Sequence, residues 1–440
     1  MSNKAMDNGK LKMDNSQAKK GDVLSMPKGY KNTEIGVIPE DWDCSILGEN
    51  AIKIGSGITP TGGSSVYKEI GRPFVRSQNI GWGKLILDDI AFIDDEIHQT
   101  FPNTEIKLND VFLNISGASI GRSSFAGEKL VGGNVNQHVC IIRTIDKQLN
   151  PRFLNLFLLS VKGQKQIDSF QSGGNRQGLN IGQIRTFLIP LPPLPEQTAI
   201  ATVLSDTDNL IQALEKKIAK KQLIKKGAMQ LLFVPPAQTT IDNGKLTIDN
   251  GGWEVKTLGE VFNFKQGVQC GVEKQVTEIK KGFKRFIRII DLSQEGEPPR
   301  FILDPGSSHH IKKDDLFMVR YGNPGLLGFG YEGVIANNLF SLKPLLATHQ
   351  LFFYFLLSFK KDKIIELSSS TTMAAINFTS LKALEIVFPK SKEEQIHIAQ
   401  ILSDMDIEIE TLKKKLAKYK QLKQGLMQNL LTGKIRIMDN

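Results

Sequence analysis

The sequence predicts an α+β fold: two similar globules of mixed helix and strand, joined by two long antiparallel coiled-coil helices about a pseudo-twofold axis. Three observations carry that reading. The stretch from Pro190 to Leu232 recurs from Pro389 to Leu430, and a shift of 198 positions superposes Glu196-Gln197 on Glu394-Gln395, Leu204-Ser205-Asp206 on Leu402-Ser403-Asp404, and Gly227 on Gly425. Within both copies apolar residues return in steps of three and four, the 3.5-residue period of a coiled coil. Ahead of each copy lie short β-type runs broken by glycine, in the same order both times.

Taken in chain order, residues 1–34 are polar and unpatterned and are expected to form a flexible leader. They hold no apolar stretch of the kind a signal peptide needs, and no run in the chain is long and apolar enough to span a bilayer. A cytoplasmic protein with no membrane partner is therefore expected. The decapeptide MDNGKLKMDN at 6–15 resembles IDNGKLTIDN at 241–250, and the likeness reads as linker sequence.

The first globule is placed at 35–188, where IKIGSGI, FVRSQNI, DVFLNI and HVCIIRTI read as strands and FLNLFLLS (153–160) as a short helix. A helical region at 189–232 and a linker at 233–252 follow, then a second globule at 253–388, a second helical region at 389–432 and a tail at 433–440. The globules correspond through Trp42 and Trp253, Phe74-Val75-Arg76 and Phe286-Ile287-Arg288, Asn136 and Asn337, and Asn180 and Asn377. Their offset drifts from 211 to 197, so the interiors share a scaffold while the loops differ in length.

Each helical copy has a marked start. Pro195 suits the first helical position, where its missing N–H costs nothing, and Ser391-x-x-Glu394 has the form of a capping box. The seam runs through Leu204, Ile211, Leu214 and Ile218 in the first copy, weakened by Thr207, Lys221 and Lys225. In the second it runs through Leu402, Met405, Ile409, Leu412, Leu416, Tyr419, Leu426 and Leu430, with Lys423 interrupting. From Glu196 to Leu232 such a rod is roughly 55 Å long at 1.5 Å per residue. A narrow seam on two similar rods is best buried by pairing them, and a rod that carries the chain outward needs the other to bring it back. Gly227 and Gly425, late in the rods, are expected to mark bends or partner contacts.

Composition is that of an ordinary globular protein, 40% hydrophobic and 23% charged. A net charge of +10 favours an anionic partner, of which nucleic acid is the commonest. Cys44, Cys140 and Cys270 lack metal-ligand spacing and read as buried thiols in a reducing compartment. No phosphate-binding loop, dinucleotide fingerprint, His-Glu-x-x-His or adenine-methyltransferase tetrapeptide occurs, so no catalytic residue is assigned. His309-His310 reads as a solvated loop pair.

Nucleic-acid contacts are better supported. Residues 215–226 carry six lysines and one glutamate, and 413–423 carry six lysines and no acid, although a solvated coiled-coil flank has the same composition. In the first globule, amide and guanidinium side chains gather at glycine-rich turns: Arg76, Gln78 and Asn79; Asn136 and Gln137; Asn175, Arg176 and Gln177. In the second the candidates are Arg285, Arg288, Asn323, Asn337, Asn338, Thr371 and Thr372. Arginine reads guanine, and asparagine or glutamine reads adenine, through paired hydrogen bonds in the major groove.

The segment LIPLPPLPEQTAIATVLSDTDNLIQALEKKIAKKQLIKKGAMQLL, its second copy, and the openings IGVIPEDWDCSILGE and WEVKTLGE resemble the specificity subunits of type I restriction-modification systems. The likeness extends from about Gly36 to Thr432; the second entrance, FPKSKEEQ, lacks the proline run of the first. The resemblance implies a non-catalytic reader of double-stranded DNA with two target recognition domains, each recognising half of a split asymmetric sequence. It also implies two methylation subunits carrying S-adenosylmethionine, and restriction-translocation subunits using ATP and magnesium, with no cofactor in this chain. The alternative from another class is a protein-binding scaffold whose rods recruit partners while its globules ignore DNA sequence.

Overall fold

The computed structural model describes residues 27–171, 178–235, 238–242, 245–249, 252–294, 296–368 and 375–437. The chain divides into two compact units, one of Met1–Ile211 with Lys418–Asn440 and one of Gln212–Ala417. Each unit contains a globule, the first part of one long helix and the last part of the other.

The two long helices, Leu194–Leu232 and Lys392–Leu430, are each 39 residues of uninterrupted α-helix. Gly227 and Gly425 lie inside them, and a Cβ at either would meet nothing within 4 Å. In the first unit the rods run antiparallel, with Lys423 Nζ 2.6 Å from Asp208. In the second unit they are antiparallel again: Lys225 Nζ lies 2.6 Å from Asp406 and Lys221 Nζ 2.8 Å from Glu408. The 198-residue shift turns the Lys225–Asp406 pair into the Lys423–Asp208 pair. The lysines that interrupt the apolar seam are thus each answered by an acid on the facing rod. Leu204, Ile211, Leu214, Ile218, Leu402 and Ile409 are buried, as the period predicts.

The globules share one topology. The first holds a four-stranded sheet in the order Ala51–Ser56, Val139–Thr144, Val111–Asn114, Ser123–Phe125. The second repeats it as Phe262–Gln266, Leu339–Pro344, Leu316–Val319, Leu327–Gly328. A second sheet in each is built on a parallel pair, Arg72–Val75 with Asn134–Val135 and Phe283–Ile287 with Gly333–Ile335. The helix Pro151–Leu159 covers the predicted FLNLFLLS segment and is capped by Asn150, whose side chain accepts from the amides of Arg152 and Phe153. Asn180 and Asn377 cap later helices in the same way, confirming their correspondence.

A repeated buried lock seats each globule on the start of its rod. Trp42 Nε1 donates to Glu196 at 3.0 Å, and Trp253 Nε1 donates to Glu394 at 3.0 Å. Gln197 accepts from the Asn150 amide and donates to the carbonyls of Gln148 and Pro192. Gln395 accepts from the His349 amide and donates to the Pro389 carbonyl. The Ser391 box is consequently only half formed. Ser391 Oγ accepts from the Glu394 amide, but the Glu394 carboxylate has gone to the indole.

Several expected boundaries are corrected. Residues 30–33 are not leader, because Tyr30–Thr33 pairs with Gly36–Pro39 and the Tyr30 hydroxyl donates to the Gly433 carbonyl. The expected linker begins with Phe233, buried in the second core, and contains a hairpin of Gln238–Asp242 with Lys245–Asp249. Asn243-Gly244, the residue types that two-residue hairpins favour, stand between those strands in sequence. The tail is not loose over its first residues: Arg436 bonds Asp41 and Glu196. Of the cysteines only Cys140 is fully buried, and His310 finds a partner in Asp304 at 2.7 Å.

Candidate nucleic-acid interface

Each globule brings its loops together at one end of its parallel strand pair. In the first, Phe74 faces Asn134 and Val75 faces Val135, so the loops at 76–79 and 136–138 begin side by side. The Asn136 amide donates to the Val75 carbonyl at 3.0 Å; in the second globule the Ala336 amide donates to the Ile287 carbonyl at 2.9 Å. A third loop crosses the same end through Gly57 and Gly267, whose amides donate to Val139 and Leu339. A Cβ on Gly57 would stand 1.8 Å from the Val135 oxygen, and one on Gly267 2.2 Å from the Ala336 oxygen, so only glycine permits the approach. A fourth chain segment joins through the bridges Ser116–Gly178 and Tyr321–Ala375.

These bonds shift the expected correspondence by one residue. Asn136 aligns with Ala336 rather than Asn337, Gln137 aligns with Asn337, and His138 aligns with Asn338. The Ile115 and Arg320 amides, which donate to the carbonyls of His138 and Asn338, give the same register.

Several candidates prove to be braces for the loops. Asn79 is buried and its amide is committed: it accepts from the Arg76 amide and donates to the carbonyls of Ile86 and Asp89. Arg76 is spent on the Asp89 side chain at 3.2 Å and on the face of Tyr67. Arg288 repeats this arrangement by gripping Asp291 through both backbone and guanidinium, and Arg285 lies over the Tyr331 ring. Asn136 is buried and accepts from the His138 amide. These bonds give Asn79, Asn136, Arg76 and Arg288 a part in holding the loops in shape.

Gln78, Gln137 and Asn323 remain on the surface. Gln78 donates to Asp89 at 2.6 Å, and Gln137 touches His138 Nε2 at 3.1 Å. Asn337 and Asn338 are half-exposed; Asn337 donates to Gln269, and the side-chain oxygen of Asn338 is buried with no hydrogen-bond partner among the described residues. Asn175, Arg176, Gln177, Thr371 and Thr372 lie outside the described residues.

The structure adds residues that the sequence pattern does not single out. Arg320 donates to Gln266 at 3.1 Å while its guanidinium stacks 4.5 Å from the centre of the Phe378 ring. Gln266 and Gln269 flank the close-approach glycine, a position that could have flagged them once Gly267 was aligned with Gly57. In the first globule Ser116 and His138, at the positions of Tyr321 and Asn338, are bonded to each other. On the rods, Lys216, Lys217, Lys220, Lys226, Lys414 and Lys418 are exposed, whereas Lys221, Lys225 and Lys423 are taken by the facing acids. Among the described residues no group of His, Cys, Asp and Glu has the arrangement to hold a metal, and no helix is long and apolar enough to cross a membrane.

The model of the type I restriction modification DNA specificity domain matches this chain twice, at residues 39–225 and 250–421. A Methanocaldococcus jannaschii protein described as the specificity subunit of the type I restriction enzyme MjaX is 26% identical over 436 residues, spanning 93% of this chain and 97% of its own. The EcoBI specificity subunit of Escherichia coli is 27% identical over 186 residues, spanning 41% of this chain and 38% of its own. The crystal structure of the type I restriction-modification S subunit from M. genitalium has the same fold, with a TM-score of 0.57 at 18% identity over 88% of this chain and 96% of that one. A chain from a structural study of type I system assembly and conformational transition superposes with a TM-score of 0.56 at 18% identity, over 90% and 99% of the two chains.

Proposed function

The chain belongs to the type I restriction-modification DNA specificity family and carries two DNA recognition domains, and from that premise we propose that each globule reads one half of a split, asymmetric target. The observation that carries this reading is the pair of matched loop ends. The same strand scaffold and the same close-approach glycines present different side chains at equivalent positions: Gln137 and His138 in one globule, Asn337 and Asn338 in the other. A common scaffold with diverged amide-bearing loops suits recognition of two different base sequences. Gln78, Gln137, Asn323, Asn337 and Asn338 supply base-edge contacts, joined by Gln269 and Arg320. Arg76, Asn79, Asn136, Arg285 and Arg288 hold the loops in shape, while exposed rod lysines meet phosphates or partner subunits.

The rods set the gap between half-sites and dock two methylation subunits, and restriction-translocation subunits join that core. The chain is non-catalytic and acts in the cytoplasm. S-adenosylmethionine belongs to the methylation subunits, and ATP and magnesium to the restriction-translocation subunits. The test is a binding selection from random duplex DNA at fixed salt, because phosphate contacts make affinity salt-dependent. Enrichment of two short motifs separated by a constant unspecified gap is expected. Binding indifferent to sequence would return the globules to a scaffold role.

A further inference from the structure

A cavity of about 620 Å³ in the first unit lies between the Gly36 turn, the start of the helix Val161–Ser169 and the end of the second rod. Its walls are apolar at Val37, Leu159, Val161 and Met427, and its rim carries Lys162, Lys165 and Lys434. Among the described residues that line it, none carries a carboxylate. Lys162 is half-buried, and burial, followed by the nearby Lys434 charge, pulls its ammonium below the usual lysine range. Like charges gathered at a partly desolvated apolar hollow are unfavourable until an anion answers them.

Among the described residues, aromatic rings occupy the equivalent position in the second unit. The 198-residue shift replaces Val161 by Phe359 and Leu431 by Phe233. Those two rings pack 5.4 Å apart, and Phe233 also meets Phe352 at 5.7 Å. Lys162 and Lys165 are matched there by Lys360 and Lys363, while Pro236 stands in sequence where Lys434 would fall, and the described aromatics fill the hollow. Smaller side chains in the first unit leave the hollow open beneath Val161, which is 68% exposed. Open apolar walls under a basic rim that no carboxylate among the described lining residues answers match a partner segment that has an apolar anchor flanked by carboxylates.

We propose that this cavity, present in the first unit and occupied by aromatic rings in the second, seats an acidic, apolar-anchored segment of one of the two methylation subunits. The inference rests on the reading of the chain as a specificity subunit. The test uses the full chain and its cognate methylation subunit, with stoichiometry read by native mass spectrometry and affinity by titration. Lys162→Glu with Lys434→Glu is expected to weaken one of the two bound subunits by roughly tenfold or more, the scale on which opposed interface charges act. Val161→Phe with Leu431→Phe, which copies the plug, is expected to do the same without altering charge, and Lys360→Glu with Lys363→Glu to have no effect. The rim lysines lie outside the core, so the charge variant reports even if the plug variant misfolds. Unchanged assembly by the charge variant overturns the proposal. So does intact assembly with weakened DNA binding, which would place the lysines against phosphates. A wild-type chain that binds no methylation subunit would refute the specificity-subunit reading itself, and this inference with it.

Discussion

Replacing Arg436 by alanine should unfasten the first unit while sparing the second. The Glu196 carboxylate is buried and receives three donors: Arg436 Nε at 2.7 Å, an Arg436 terminal nitrogen at 2.8 Å and Trp42 Nε1 at 3.0 Å. Removing one partner of a buried ion pair typically costs about 3–5 kcal/mol, because the remaining charge is left in low dielectric. Arg436 is 22% exposed, so water can partly replace it. The second arm, to a half-exposed Asp41, adds only about 0–1 kcal/mol as a surface pair. A net loss of about 3 kcal/mol follows, or roughly 6–12 °C in the melting of a unit of this size. Hydrogen exchange should localise the loss to the Trp42 turn and the start of the first rod. Adding Glu196→Gln to Arg436→Ala should recover most of it, since the amide still accepts from Trp42 and leaves no buried charge. A single variant within about 0.5 kcal/mol of wild type, the ordinary range of surface changes, or a double variant as unstable as the single one, would refute this reasoning.

Further expectations concern pH, helix propensity and thiol chemistry. Burial, and after it the Lys392 charge, lowers the His349 pKa from 6.5, so its stabilising effect is full above that value and is lost as pH falls below it. His349→Asn restores the capping residue found at Asn150 and should add about 1 kcal/mol at pH 7. It should also shrink the loss of stability between pH 7 and pH 5; unchanged melting slopes would count against both effects. Gly227→Ala and Gly425→Ala should each stabilise the isolated chain by about 0.5–1 kcal/mol, since a Cβ there meets nothing. Weakened assembly of the same variants would identify these glycines as partner contacts, and a destabilised isolated chain would contradict the open geometry. Burial pushes the Cys140 thiol up to about 12, so a thiol reagent at pH 8 should modify Cys44 and Cys270 well before it, and equal rates would contradict its burial.

The rods were legible because a 3.5-residue period and a duplication are both one-dimensional signals. Even the Lys225–Asp406 and Lys423–Asp208 pairs were implicit in the 198-residue shift. The Trp42–Glu196 lock was not, because the partners stand 154 positions apart and each has an ordinary local explanation. Tyr30–Thr33 has no apolar alternation and reads as leader; it is held by strand pairing and by the Gly433 carbonyl, which no local pattern reveals. In the recognition loops, Asn136 and Asn337 invited alignment by identity, whereas hydrogen-bond register sets the match at Ala336. Arg76, Asn79 and Arg288 have the residue types of base readers and also bond Asp89, backbone carbonyls and Asp291. Composition cannot separate an amide that shapes a loop from one that faces DNA, because both use the same donors and acceptors.

The most direct test of two independent readers is a binding selection on the assembled complex, comparing wild type with the triple variant Gln269→Ala, Asn337→Ala, Asn338→Ala. The wild type should enrich a two-part motif with a constant gap. The variant should keep one half and relax the other, by about 1–3 kcal/mol for each base whose paired hydrogen bonds are removed. Relaxation of both halves together, or an unpartitioned motif from the wild type, would contradict the assignment of one half-site to each globule.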